Sequence, residues 1–268
     1  MSRISYQIAT IRVLLKREVL KYRRMPLTLL SIMGFSVGVW LLMGLGFGPL
    51  FETTNLPFSF DEFMFPGLVL MVMILSAIFL NEDVVTDRYS GFMRTLLNAP
   101  GGVGALIVGK CLGVSVVTLV QAGFIFLLFP LLGGSFGEID WLIVVSVFLC
   151  ASTALTAFCF SCAWLSKSLD AYRTLLFSVL VSVWFLSGAL FPMLLTRPWV
   201  EQLSRWNPMA HTFFLLRHAL YTEKTPMFSG SRGVDTDFSL LFIGGFTLVT
   251  ILAAAFLRRE NVGEDLRS

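Results

Sequence analysis

An all-α integral membrane protein is the fold class this sequence predicts, and three observations predict it. Hydrophobic residues make up 56% of the chain and charged residues only 14%, where a soluble domain carries about 25% charge. Mean hydropathy is +0.80. The apolar residues fall in long, continuous blocks rather than an alternating pattern, which favours membrane helices over a barrel.

The blocks set the order of elements. Residues 1–26 form an amphipathic interface helix ahead of the membrane domain. Six spans follow within 27–257, at about 27–50, 63–80, 103–132, 141–165, 174–196 and 238–257. A helix needs about 20 apolar residues to cross a core of roughly 30 Å. Only the third block holds a charge, Lys110, near its start. Residues 258–268 form a tail.

Lysine and arginine orient the spans. Seven precede the first span, from Arg3 to Arg24, and Arg258, Arg259 and Arg267 follow the last. With six crossings both ends share one side, and the positive-inside rule makes that side cytoplasmic. The outside loops 51–62 and 133–140 contain neither residue type. The longest outside segment, 197–237, does carry five cations, but long loops weigh less in the rule. No cleavable leader is expected, because the basic start and first apolar block are both too long. A net charge of +3 clustered at span ends makes no case for nucleic acid.

In the interface helix, Ile4, Ile8, Ile11, Leu15, Val19 and Tyr22 share one face, away from Arg3, Arg17, Lys21 and Arg24. Such a helix lies among lipid headgroups. Two readings stay open: it only anchors the first span, or it also packs on a cytoplasmic partner. Pro26 fits a break before the span.

The loop after the second span, 81–102, concentrates Glu82, Asp83, Asp87, Arg88 and Arg94. Tyr89, Met93, Leu96 and Leu97 share one face of a short helix ending before Pro100. That pattern suits docking into a groove on a soluble protein; a solvated loop with an acidic end is the plain alternative.

Here the motifs gather. Asp87-Arg88-Tyr89-Ser90-Gly91-Phe92-Met93-Arg94, then Leu96-Leu97-Asn98-Ala99-Pro100, then Gly109-Lys110, resemble the signature of ABC-2 type exporter permeases. Asn207-Pro208 followed by Arg217 resembles the family's stretch before its final span. Phe65-Pro66-Gly67 is similar to the drug-resistance, nodulation and polysaccharide exporter branch. The resemblance runs from about residue 60 to 220. It implies two six-span subunits, most simply a homodimer, with two separate ATPase subunits below, in a cell membrane. Coupling to the ATPase falls by resemblance on Glu82, Asp83, Asp87, Arg88, Gly91, Arg94 and Pro100. The family positions Gly109, Lys110, Asn207, Pro208 and Arg217 complete the set. The chain has no Walker A pattern, so it is not expected to be an enzyme. ATP and Mg belong on the partner, and this chain binds no cofactor.

Before the last span, Met209 to Tyr221 is apolar but too short to cross. A re-entrant hairpin of short helices is expected there, packed on the spans because exposed backbone is not tolerated in lipid. It caps an exit path or merely fills space. Residues 222–237 read as an exposed loop.

Other features carry less. Cys159-x-x-Cys162 lacks the partners of a redox or metal site, and Cys111 and Cys150 read as buried small residues. His211 and His218 lack further ligands, so no metal is expected. Gly34-x-x-x-Gly38, Gly44-x-x-x-Gly48 and Gly109-x-x-x-Gly113 permit close helix approach. The blocks hold almost no buried charge, which argues against an ion-coupled pump. The cargo expected is apolar or amphiphilic: a drug, lipid or lipid-linked glycan. The rival reading is an ATP-independent scaffold or secondary carrier.

Overall fold

The computed structural model describes residues 3–52, 59–91, 102–131, 136, 138–191, 197–221 and 236–260. Arg94, Pro100 and the short helix expected around them lie outside these residues, as does the segment 222–235.

Every regular element among the described residues is helical. They are α1 (Arg3–Arg23), α2 (Pro26–Glu52), α3 (Phe60–Tyr89), α4 (Gly102–Leu131), α5 (Trp141–Leu165) and α6 (Leu169–Leu176). Then come α7 (Ser182–Phe185), α8 (Pro198–Arg205), α9 (Pro208–Tyr221) and α10 (Thr236–Glu260). Five of them, α2, α3, α4, α5 and α10, are long and apolar enough to cross a membrane. Each encloses its own backbone hydrogen bonds, the condition for standing in lipid.

The block expected at 174–196 takes a different form. α6 runs through a π-helical turn, Phe177–Val181, into the four-residue α7, and the chain then turns with Gly188 at φ +84°. Hydropathy registers composition and is blind to such a break in the helix.

α3 is the central helix. Residues from Phe63 to Ile78 are buried on all sides, which is what an all-round apolar helix requires. α2, α4, α5, α6 and α9 pack around it, and α10 packs on α5 and α9. Ser76 donates to Gln121 Oε1 at 2.8 Å, and Gln121 donates to the Leu29 carbonyl at 3.1 Å, tying α2, α3 and α4 within the bilayer zone.

Two expectations change. The second span does not end near Leu80. A Ser59–Glu62 capping box starts α3, and nothing breaks it before Ser90 and Gly91, where φ reaches +72°. Glu82, Asp83, Asp87 and Arg88 therefore stand on its last turns, not in a loop. The buried stripe of α1 is also shifted in part from the one expected: Tyr22 is buried and Ile11, Leu15 and Val19 are half-buried, but Leu14 and Glu18 join them and Ile8 is exposed. The cause is α4. A Cβ at Gly109 would meet Leu14 Cβ at 3.0 Å, and one at Gly113 would meet Glu18 Cβ at 2.7 Å. The Gly109/Gly113 groove thus seats α1, whereas nothing lies within 4 Å of Gly34 or Gly38.

Candidate functional site: the charged end of the bundle

The ends of α1, α3 and α4 meet around Lys110, which is 1% exposed. An ammonium in such a place needs partners, since an unpaired buried charge is prohibitive. Lys110 Nζ lies 2.7 Å from Asp83 Oδ2 and 3.3 Å from Glu18 Oε1. Lys21 reaches the same Asp83 oxygen at 2.6 Å. One carboxylate oxygen therefore serves two ammonium groups. Arg17 pairs with Asp87 at 3.2 Å and lies 3.6 Å from Glu18. The apolar blocks still hold Lys110 as their one charge; the carboxylates that neutralise it come from outside them, from α1 and from the end of α3.

The pairing continues to α6 and α5. Arg173 grips both oxygens of Glu82, Nε at 2.6 Å and Nη2 at 2.7 Å, the bidentate geometry that suits a guanidinium. Arg88 donates to the Trp164 and Ser166 carbonyls and lies over the Trp164 ring at 5.7 Å. The Ser166 carbonyl follows the end of α5, and Trp164 is in its last turn, where helix carbonyls lack partners. Tyr22 and Tyr172 donate to the Leu80 and Ile78 carbonyls, at 2.6 and 2.8 Å. Burial pushes the Tyr22 phenol far above its ordinary value, so it stays a donor. Burial also raises Glu18, partly countered by Lys110.

Beside this network lies a cavity of about 860 Å³. Its polar end is formed by the three ion pairs of Arg17, Lys21 and Arg173. Its apolar end is formed by Ile32, Phe35, Leu75, Phe79 and Phe177.

The other motif residues gather at the opposite end. Asn207 caps α9: its Oδ1 accepts from Met209 N–H at 2.9 Å, with Pro208 in the first helical position. Its Nδ2 donates to the Val183 carbonyl at 2.7 Å, near the end of α7. Ser204 donates to the Leu186 carbonyl at 2.7 Å. Trp184 Nε1 donates to Gly67 O at 3.0 Å, and a Cβ on Gly67 would strike Ala189 Cβ at 2.6 Å. Pro66-Gly67 therefore marks a close backbone contact. Arg217 lies over the Phe63 ring at 4.8 Å. The two short helices expected before the last span are α8 and α9, with α9 packed on α3, α5 and α10.

The sequence-predicted residues thus separate. Glu82, Asp83, Asp87, Arg88, Gly109 and Lys110 share one end; Asn207, Pro208 and Arg217 share the other. Gly91 lies just past α3, exposing nothing but a left-handed turn. Sequence reasoning missed Glu18 and Arg173. Glu18 did leave a signal: it is the sole acidic residue before Glu52. Among the described residues no group of three or more His, Cys, Asp or Glu is placed to hold a metal. The cysteines are free thiols.

Comparison with known proteins agrees with this geometry. The ABC-2 type transporter family profile matches residues 9–221. The chain is 27% identical over 247 residues to a protein described as a transport permease, ycf38, of Cyanophora paradoxa, covering 90% of this chain and 83% of that one. It is 26% identical to the protein of the same description in Porphyra purpurea, covering 93% and 91%. The chain belongs to the ABC-2 type transporter family.

Proposed function

From that membership we propose that the chain is the permease subunit of an ATP-driven exporter, working as a homodimer with two separate ATPase subunits in the cell membrane. In this reading the chain crosses six times, with α6, the π turn and α7 beginning the fifth crossing, and both termini are cytoplasmic. The observation that carries the reading is the cavity between α1, α2, α3 and α6. It joins charged pairs to aromatic walls at the end that the distribution of Lys and Arg assigns to the cytoplasm. An amphiphile taken from the inner leaflet meets both halves.

The coupling residues act indirectly in this proposal. Asp83 and Asp87 hold α1, Glu82 holds α6 and Arg88 holds α5. A push by an ATPase on the segment after α3 therefore moves four helices together. Two measurements test it. A tagged chain drawn from its native membrane should bring down a Walker-containing partner, and its reproducible absence sinks the exporter reading. Asp87→Lys should leave the ATPase hydrolysing ATP while transport falls; wild-type transport overturns the coupling assignment.

A further inference from the structure

The ion pairs lining the cavity are not symmetric. Arg17, Lys21 and Arg173 have side-chain exposures of 31, 30 and 44%, while their carboxylate partners Asp87, Asp83 and Glu82 have 14, 12 and 16%. The carboxylates are tucked behind and the cations face outward. Donor capacity is left over. Lys21 carries three N–H donors and gives one to Asp83; Arg173 uses only Nε and Nη2 on Glu82. Asp83 is also shared with Lys110, so it neutralises only part of Lys21.

We propose that this cavity binds an amphiphile with an anionic, phosphate-class headgroup, held by Arg17, Lys21 and Arg173, with its apolar tail against Phe35, Phe79 and Phe177. The proposal rests on the exporter reading and specifies the chemistry of its cargo. Guanidinium groups bind phosphate oxygens through paired, charge-assisted hydrogen bonds. The aromatic wall follows directly: Phe79 and Phe177 meet edge to face at 5.6 Å, and the cavity volume lies in the range of small-molecule sites. A cationic amphiphile would meet Arg17, Lys21 and Arg173 as the more exposed members of these pairs, with Asp87, Asp83 and Glu82 behind them, which disfavours it.

The test uses the full chain purified with its ATPase, below the micellar concentration of each probe, with binding read by microscale thermophoresis. Dodecyl phosphate should bind at least about tenfold more tightly than dodecyltrimethylammonium, the difference expected from one charge-assisted contact or more. Inorganic phosphate separates a lipid headgroup from a free anion: it should bind far more weakly than dodecyl phosphate, and equal binding overturns the amphiphile. Arg17→Gln with Arg173→Gln should weaken dodecyl phosphate about tenfold or more. Ser31→Trp, which fills the cavity from α2 without changing charge, should weaken it too and guards against a misfolded charge variant. Equal binding of the two dodecyl probes, or unchanged binding in both variants, overturns the proposal. Loss of the ATPase on purification would instead count against the exporter reading, and leaves probe binding to the chain measurable.

Discussion

The two ends of this bundle are built from opposite chemistry. At the charged end, which the proposed orientation makes the inner one, helices are joined mainly by charge meeting charge: Lys110 with Asp83 and Glu18, Arg17 with Asp87, Arg173 with Glu82. At the outer end they are joined by neutral side chains meeting backbone: Asn207 with Val183, Ser204 with Leu186, Trp184 with Gly67. The difference follows from what each end must satisfy. Irregular backbone around α7 and α8 leaves carbonyls without helical partners, and in a membrane those must be answered locally. At the charged end that need is met at the close of α5, where Arg88 answers the Trp164 and Ser166 carbonyls. The other charges there join elements far apart in sequence, and ion pairs between rigid helices can be exchanged when the helices shift.

That contrast ranks substitutions. Lys110→Met should be the most damaging. It leaves buried Glu18 with only the more distant Arg17 at 3.6 Å and takes from Asp83 one of its two cations, and breaking one side of a buried pair costs about 3–5 kcal/mol. The thermal unfolding midpoint in detergent should fall sharply, and adding Glu18→Gln and Asp83→Asn should recover most of it. If Lys110→Met melts like the parent chain, the inner network is not what joins α1 to the bundle. Gly113→Ala comes next. Its Cβ would stand 2.7 Å from Glu18 Cβ and 2.9 Å from Glu18 Cγ, and overpacking of this kind costs about 1–3 kcal/mol. Gly34→Ala, facing open space, should be neutral or gain up to about 1 kcal/mol of helix propensity. Equal effects of the two would place α1 elsewhere than in the Gly109/Gly113 groove.

The sequence made some of this legible and hid the rest for identifiable reasons. Apolar length located α2, α3, α4, α5 and α10, because crossing lipid is a demand on composition. It missed the π turn at Phe177–Val181, which leaves composition unchanged. Motif spacing singled out Lys110, Asp83, Asp87 and Asn207. It did not join them, since Lys110 and Glu18 lie 92 residues apart and pair only because two glycines let α1 close on α4. Periodicity identified α1 as amphipathic and placed Tyr22 on its packed side, but left out Leu14 and Glu18, which are buried there too. A carboxylate matched to a buried lysine behaves as part of the core.

At the outer end Asn207→Ala should cost about 1–2 kcal/mol, the usual loss for an N-cap, with the Val183 carbonyl also left unanswered. The midpoint shift should be smaller than for Lys110→Met. A larger one would reverse the ranking and make the outer end the dominant tie.

The smallest effect is one of sign, and it separates the ends by acid. His211 is buried between α9 and α10, where Nε2 donates to the Arg205 carbonyl at 2.9 Å and Nδ1 accepts from Ser239 at 3.0 Å. The carbonyl can only accept, which fixes the tautomer. Phe238 meets the imidazole edge-on at 5.8 Å and Phe242 lies tilted against it at 4.4 Å between ring centres. Burial lowers the imidazole below its ordinary 6.5, with the Arg205 carbonyl opposing. As pH falls through 6.5 the unfolded chain takes a proton that the native chain refuses, so stability drops. Glu18 works the other way. Its carboxyl is raised above 4.5, so the native chain holds a proton longer, and its contribution is lost as pH rises from there. Unfolding midpoints followed from pH 7.5 down to 4 resolve the pair. His211→Gln should shrink the loss on acidification, with His218, the other histidine, common to both chains. Glu18→Gln should enlarge that loss. If both substitutions move the pH response in the same direction, the two ends do not differ in the way their contacts imply.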